Sequence, residues 1–148
     1  MSKFIQALLS GLFFTFILDF FIILGVKLNY IELYNVHVYY NVLFADHQNI
    51  YLFLLFTLII GYLVMYTSTK TALIGVGAMF VLSFSTLLPP VGKAVGEMML
   101  MKKNVILTTH KFSYHGDIYY NGRKSVTFYD YTLKKVIILN KNKIQGQL

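Results

Sequence analysis

A chain of 148 residues without cysteine has room for one domain or two small ones, and it excludes structural disulfides, thiol catalysis and iron–sulfur ligation. Hydrophobic residues make up 57% of the chain and charged residues 13%, against about 45–50% and about 25% in soluble domains. The missing charge is missing from the first 101 residues, and this points to a membrane protein. The formal charge of +7 fits attraction to anionic lipid headgroups, worth about 1 kcal/mol per basic residue near the surface, better than it fits nucleic acid. The lipid bilayer is therefore the expected partner, and nucleic acid is not.

Residues 4–25 form the first apolar run, FIQALLSGLFFTFILDFFIILG. It is too long for a signal-peptide core, contains Asp19 and lacks a small-x-small cleavage site. It reads as a retained transmembrane helix over about 4–27. Residues 28–49 carry Tyr30, Tyr34, Tyr39 and Tyr40 with His37, His47, Glu32 and Asp46. Tyrosines favour the membrane interface, so this stretch is expected to cap the helices outside the membrane. Its VHVYYNVLF core has the β-branched and aromatic make-up of a short strand or an interfacial segment.

Residues 50–66 are a second, uncharged helix, and TSTKT at 67–71 is a turn that makes it an antiparallel neighbour of a third helix at 72–88. Gly75, Gly77 and Ala78 give the third helix a small face for close helix approach. Pro89 and Pro90 lack backbone donors and clash with the preceding turn, so they should kink or end it. A bent continuation at 91–101 follows, too short to span, with Gly92 and Gly96 in GxxxG spacing and Lys93 and Glu97 as an i,i+4 pair. The spacing predicts that this segment packs on another helix, in the same subunit or a neighbour. The transmembrane domain is thus placed at 1–101.

From there to residue 148 the period shortens. Phe112, Tyr114, Ile118 and Tyr120 alternate with more polar positions, and Tyr120-Asn121-Gly122-Arg123 has the composition of a type I′ hairpin turn. A strand at 126–131 and a central strand at Lys135–Asn140 follow, with a last short strand starting at Ile144. Short strands in so small a span predict an SH3-like or Sm-like barrel at 103–148, too small to be robust alone.

Among candidate sites Asp19 stands first. A carboxylate at a helix centre costs about 2.5–3.5 kcal/mol on insertion scales, so it is either an ion or proton site or a polar contact between helices. His37, His47, His110 and His115 lack metal-ligand spacing, so no metal is expected. Asp46, His47 and Asn49 come without a nucleophile motif, and no phosphate-binding loop is present. The chain therefore reads as non-enzymatic and without cofactor. The lysines and Arg123 of the β-region read as a solvated or lipid-facing basic edge.

The glycines of the third helix, Gly92 and Gly96 in its bent continuation, and the run from Gly116-Asp117-Ile118 through KVIILN to Lys143-Ile144 and Gly146 together resemble the small mechanosensitive channel family. The likeness covers roughly the last half of the chain; Phe80, Phe84 and Pro89–Pro90 depart from the pattern. The resemblance implies an oligomeric channel whose third helix lines the pore. The leading expectation is a scaffold or accessory subunit of a homo- or hetero-oligomeric membrane complex, with the β-region as docking module. Either way the chain is expected to be a multi-pass protein of a cell membrane, the bacterial inner membrane in particular. The excess of lysine at the ends facing the β-region places that region in the cytoplasm.

Overall fold

The computed structural model describes residues 2–109 and 112–145. The first helix, α1 (Lys3–Val26), is capped by the Ser2 hydroxyl on Ile5 N–H. It runs on through a π-helical extension, Lys27–Ile31. Together Lys3–Ile31 form one 29-residue helix, with an 18-residue window of mean hydropathy 2.4, long and apolar enough to cross a membrane. A polar turn with Asn35 at φ 51° leads to α2 (Tyr40–His47). The VHVYYNVLF segment therefore closes as loop and short helix; its apolar residues Val36 and Leu43 join a core with Ile23, Val26, Tyr30 and Ile31 of the first helix and its extension.

The Asn49 side chain caps α3 (Ile50–Tyr66), and Ser68 caps α4 (Thr69–Ser85). The Gly11 position of α1 meets the backbone of Thr57, and Gly61 of α3 meets Ala7, so these helices run antiparallel in near backbone contact. Ser83 and Thr86 donate to the carbonyls of Leu18 and Phe21 at 2.7 and 3.1 Å, laying α4 alongside α1. The third helix ends at Ser85, before the prolines, and the prolines open a new helix, α5 (Pro89–Leu100). Proline is well suited to the first turn, where its missing N–H has no partner to lose. The axis bends by 88° between α4 and α5, and by 84° between α2 and α3. Among the described residues one helix qualifies as a span by itself, and up to three do if each bent pair counts as one.

β1 (Lys102–Thr109), β2 (Ser113–Asn121), β3 (Ser125–Asp130), β4 (Lys135–Asn140) and β5 (Ile144–Gln145) form an antiparallel sheet in the order β4-β3-β2-β1-β5. The expected SH3-like or Sm-like barrel is not formed: β4 and β5 are opposite edges of an open sheet. Among the described residues β5 pairs with β1 at two positions, Thr108–Gln145 and Thr109–Ile144, and does not meet β4. Lys135–Asn140 is an edge strand, not a central one. The hairpin at Asn121-Gly122 forms, but its loop is Gly122-Arg123-Lys124, closed by Gly122 N–H on Ser125 C=O at 3.0 Å. Asn121 has no positive φ, so the turn is not type I′. Between β3 and β4 the buried Asp130 carboxylate accepts from the N–H groups of Thr132 and Leu133 at 2.7 and 2.8 Å, and Lys134 takes φ 52°.

One face of the sheet buries Leu107, Ile118, Val126 and Phe128 among themselves with Ile137, Leu139 and Ile144. At the other, Tyr119 and Tyr120 reach a second core with Tyr30, Ile31, Leu43 and Leu100. Both tyrosines face the helices because a β-bulge lies between Ile118 and Tyr120.

Candidate functional site: the Asp19 cleft and the α4–α5 hinge

Asp19 lies at the end of the bundle, not at its middle. Its Oδ2 accepts from Gln48 Nε2 at 2.7 Å, and Gln48 is two residues before α3 begins. On the other side Ser83, near the end of α4, reaches the carbonyl of Leu18. The carboxylate is half buried and lines two cavities. One, of about 300 Å³, lies between α1, α3, α4 and α5 and is walled by Thr15, Phe56, Met79, Leu82 and Val95. The other, of about 180 Å³, is bounded by Phe44, His47, Phe53 and Met99.

Next to this cleft is the hinge. Ending α4 leaves carbonyls without helical donors; Asn29 Nδ2 donates to two of them, Thr86 and Leu87, each at 3.0 Å. The Thr86 hydroxyl donates within its own turn to Ser83 C=O at 2.7 Å. Gly25 and Gly92 both face Thr86, and a side chain on either would run into its backbone. One turn on, Gly96 lies directly against the Tyr30 side chain. The glycine pair thus packs α5 onto the end of α1 and its π-helical extension within the same subunit. The next residue, Glu97, accepts from the Tyr34 hydroxyl at 3.0 Å and pairs with Lys93 and Lys103, each at 3.8 Å. Burial, then the hydrogen bond to Glu97, push the Tyr34 phenol up to about 12.

Besides the Lys103–Glu97 pair, two hydrogen-bonded contacts tie the sheet to this platform. Tyr30, fully buried, donates to the carbonyl of Tyr119 at 2.7 Å. Arg123 in the β2–β3 loop grips Asp46 of α2 with both Nε and a terminal nitrogen. That hydrogen bond holds the Asp46 carboxyl below its ordinary range. Asp46 is thus an anchor for Arg123 rather than a partner of His47, whose Nδ1 faces its own helix carbonyl at Leu43, 3.1 Å away.

The other sequence candidates are spread out. Gly75 is covered by Leu63 at 3.1 Å, whereas Gly77 has nothing within 4 Å. His115 meets Asn104, His37 is exposed, and His110 lies outside the described residues, as does Gly146. Among the described residues no three His, Asp or Glu side chains converge on a metal-sized site. Sequence reasoning missed Gly11, Gly61, Gly25, Asn29 and Thr86; small residues within apolar helical runs were the available signal for the glycines. Nothing local marked Asn29.

No protein-family model, curated protein or solved structure matches the chain significantly. The fold and the site define a helical bundle with membrane-compatible surfaces, joined through a glycine-lined hinge to an open antiparallel sheet.

Proposed function

We propose that the chain is a non-enzymatic, multi-pass integral membrane protein, a scaffold or accessory subunit that uses its sheet to dock a partner subunit. The observation that carries this reading is the outer edge of β4. It is six residues long, unpaired on one side among the described residues, and apolar through Val136-Ile137-Ile138-Leu139. Val136 and Ile138 are 44% and 62% exposed. Edges of this kind are usually blunted by charge, proline or a bulge, because they template pairing with another chain. An extended segment of a partner subunit fits it by strand addition.

A three-span arrangement is supported by the bundle's surface. α1, α3 and α4 alternate in direction, and α3 and α4 have 17 residues each, about 25 Å of helix. Their outer faces expose Phe4, Leu12, Phe16, Leu54, Ile74 and Val81. Tyr62 and Tyr66 mark one end and Tyr40 and Tyr51 the other, as interfacial tyrosines do.

A photo-crosslinking residue at position 138, introduced in cells, tests the docking reading against the same residue at exposed position 132. The expected result is a discrete adduct from 138 alone, lost in Val136→Lys/Ile138→Lys. A monomeric native mass without adduct at 138 overturns it.

A second reading rests on α4. Apart from Val76 and Ser83 its side chains are not buried, and the Gly77 position is open. An exposed small-residue face supports lateral packing between copies and hence the oligomeric channel. A ring-sized native mass together with single-channel conductance in planar bilayers supports that reading; a monomer without conductance removes it.

A further inference from the structure

We propose that the cleft around Asp19 binds a single-chain amphiphile with a primary ammonium headgroup, the ammonium on Asp19 and the alkyl chain in the groove between α3 and α4. The inference rests on the bundle lying in lipid, but not on the docking role of the sheet.

The walls set the tail. Ile22, Phe56, Met79, Leu82 and Val95 line the larger cavity. Its volume of about 300 Å³ holds about ten water-sized groups at about 30 Å³ each, enough for one alkyl segment and too little for two full chains. The groove lies where α4 ends and α5 turns away by 88°, so it opens at the level of the polar headgroups, where Gln48 and Asn49 stand.

The polar groups set the head. Asp19 brings a negative charge, and only its Oδ2 is engaged, by the neutral Gln48 amide. The ion pairs among the described residues are Lys27–Glu32, Lys93–Glu97, Lys103–Glu97 and Arg123–Asp46; none compensates Asp19. One helical turn before Asp19, on the same face, Thr15 lines the same cavity at 1% exposure, and its Oγ1 has no hydrogen-bond partner. Phe56 lines one of the two cavities that Asp19 lines, Phe44 and Phe53 the other. Aromatic rings beside a carboxylate attract a cation and offer nothing to an anion. A primary ammonium, with three donors, can hydrogen-bond the Asp19 carboxylate as well as neutralise it. A quaternary ammonium has no N–H for the carboxylate, and a phosphate or carboxylate head is repelled.

The test uses the full chain in a neutral maltoside detergent. Equilibrium binding of dodecylamine, dodecanol and dodecyltrimethylammonium is measured after subtraction of partitioning into protein-free micelles. One equivalent of dodecylamine is expected, at least tenfold tighter than the other two. Asp19→Asn, which keeps the acceptor for Gln48, should lower amine affinity at least tenfold and leave dodecanol binding unchanged. Leu82→Trp should fill the groove and abolish both. Equal binding of amine and alcohol, equal binding of the trimethylammonium compound, or full amine affinity in Asp19→Asn overturns the proposal. Should Asp19→Asn fail to fold, the three-ligand comparison on the unsubstituted protein decides alone.

Discussion

At the scale of single residues the hinge is held by atoms that are absent as much as by atoms that are present. Gly96 has no room for a Cβ, because Tyr30 occupies that space. Gly96→Ala is expected to destabilise the protein by about 1–3 kcal/mol, the usual range for overfilling a packed contact, read from thermal unfolding in detergent. Tyr30→Phe keeps the ring and removes only the bond to the Tyr119 carbonyl; a loss of about 0.5–1.5 kcal/mol is expected. The Asp46–Arg123 pair gives a pH signature. The folded carboxyl titrates below its ordinary value, so its contribution is present above the unfolded value of about 3.9 and disappears as the pH falls through the lower folded value. The stability difference between the protein and Asp46→Asn should therefore be constant at neutral pH and collapse below about pH 4. A difference that persists in acid would show that the carboxylate charge is not what Arg123 reads.

At the scale of elements α5 is the coupling piece. Gly92 and Gly96 face α1 and its extension, while Glu97 collects Tyr34, Lys93 and Lys103. Gly92→Leu/Gly96→Leu should pry α5 from the platform and open 104–148 to protease, with native mass recorded alongside. If protection and mass both stay unchanged, α5 is a passive linker. Tyr34 supplies an alkaline counterpart to Asp46. Its phenol is raised to about 12, so its contribution is intact below the unfolded value of about 10 and is lost as the pH rises from there toward the folded value. Tyr34→Phe should lessen the loss of stability between about pH 10 and 12, to which other raised phenols such as Tyr119 also contribute. An alkaline slope unchanged by the substitution would remove Tyr34 as a cause.

At the scale of the whole molecule the proposed three crossings place the N-terminus and the sheet on opposite sides. Lys3 and Lys70 stand at one end, and Lys27, Lys93, Lys102, Lys103 and the basic sheet at the other. The positive-inside rule puts the second end in the cytoplasm. A reporter active only outside the cytoplasm and fused after residue 148 should stay silent; a strong signal reverses the orientation.

Periodicity and composition determined by themselves that three apolar helices run through the first part of the chain, that a polar break follows Tyr66 and that the last third is β-structure; the break is only Thr67–Ser68, because Ser68 caps a helix that starts at Thr69 and ends at Ser85 rather than running over 72–88. These depend on local backbone chemistry and on side chains meeting one of two solvents. Lys135–Asn140 was legible as a strand for the same reason. Its place at the edge was not, because a β-branched apolar run reads alike whether one side or both are paired. Barrel closure depends on whether β4 meets β5, a long-range pairing that no local signal encodes. Asp19 was legible as an anomaly. Only the tertiary structure decided that it faces Gln48 at the end of the bundle with Thr15 unpaired beside it, since the level at which two helices meet is set by close contacts such as Gly11–Thr57 and Gly61–Ala7. Asn29 on the Thr86 and Leu87 carbonyls makes the same point. A helix end can be capped from more than fifty residues away, and sequence neighbours carry no trace of it.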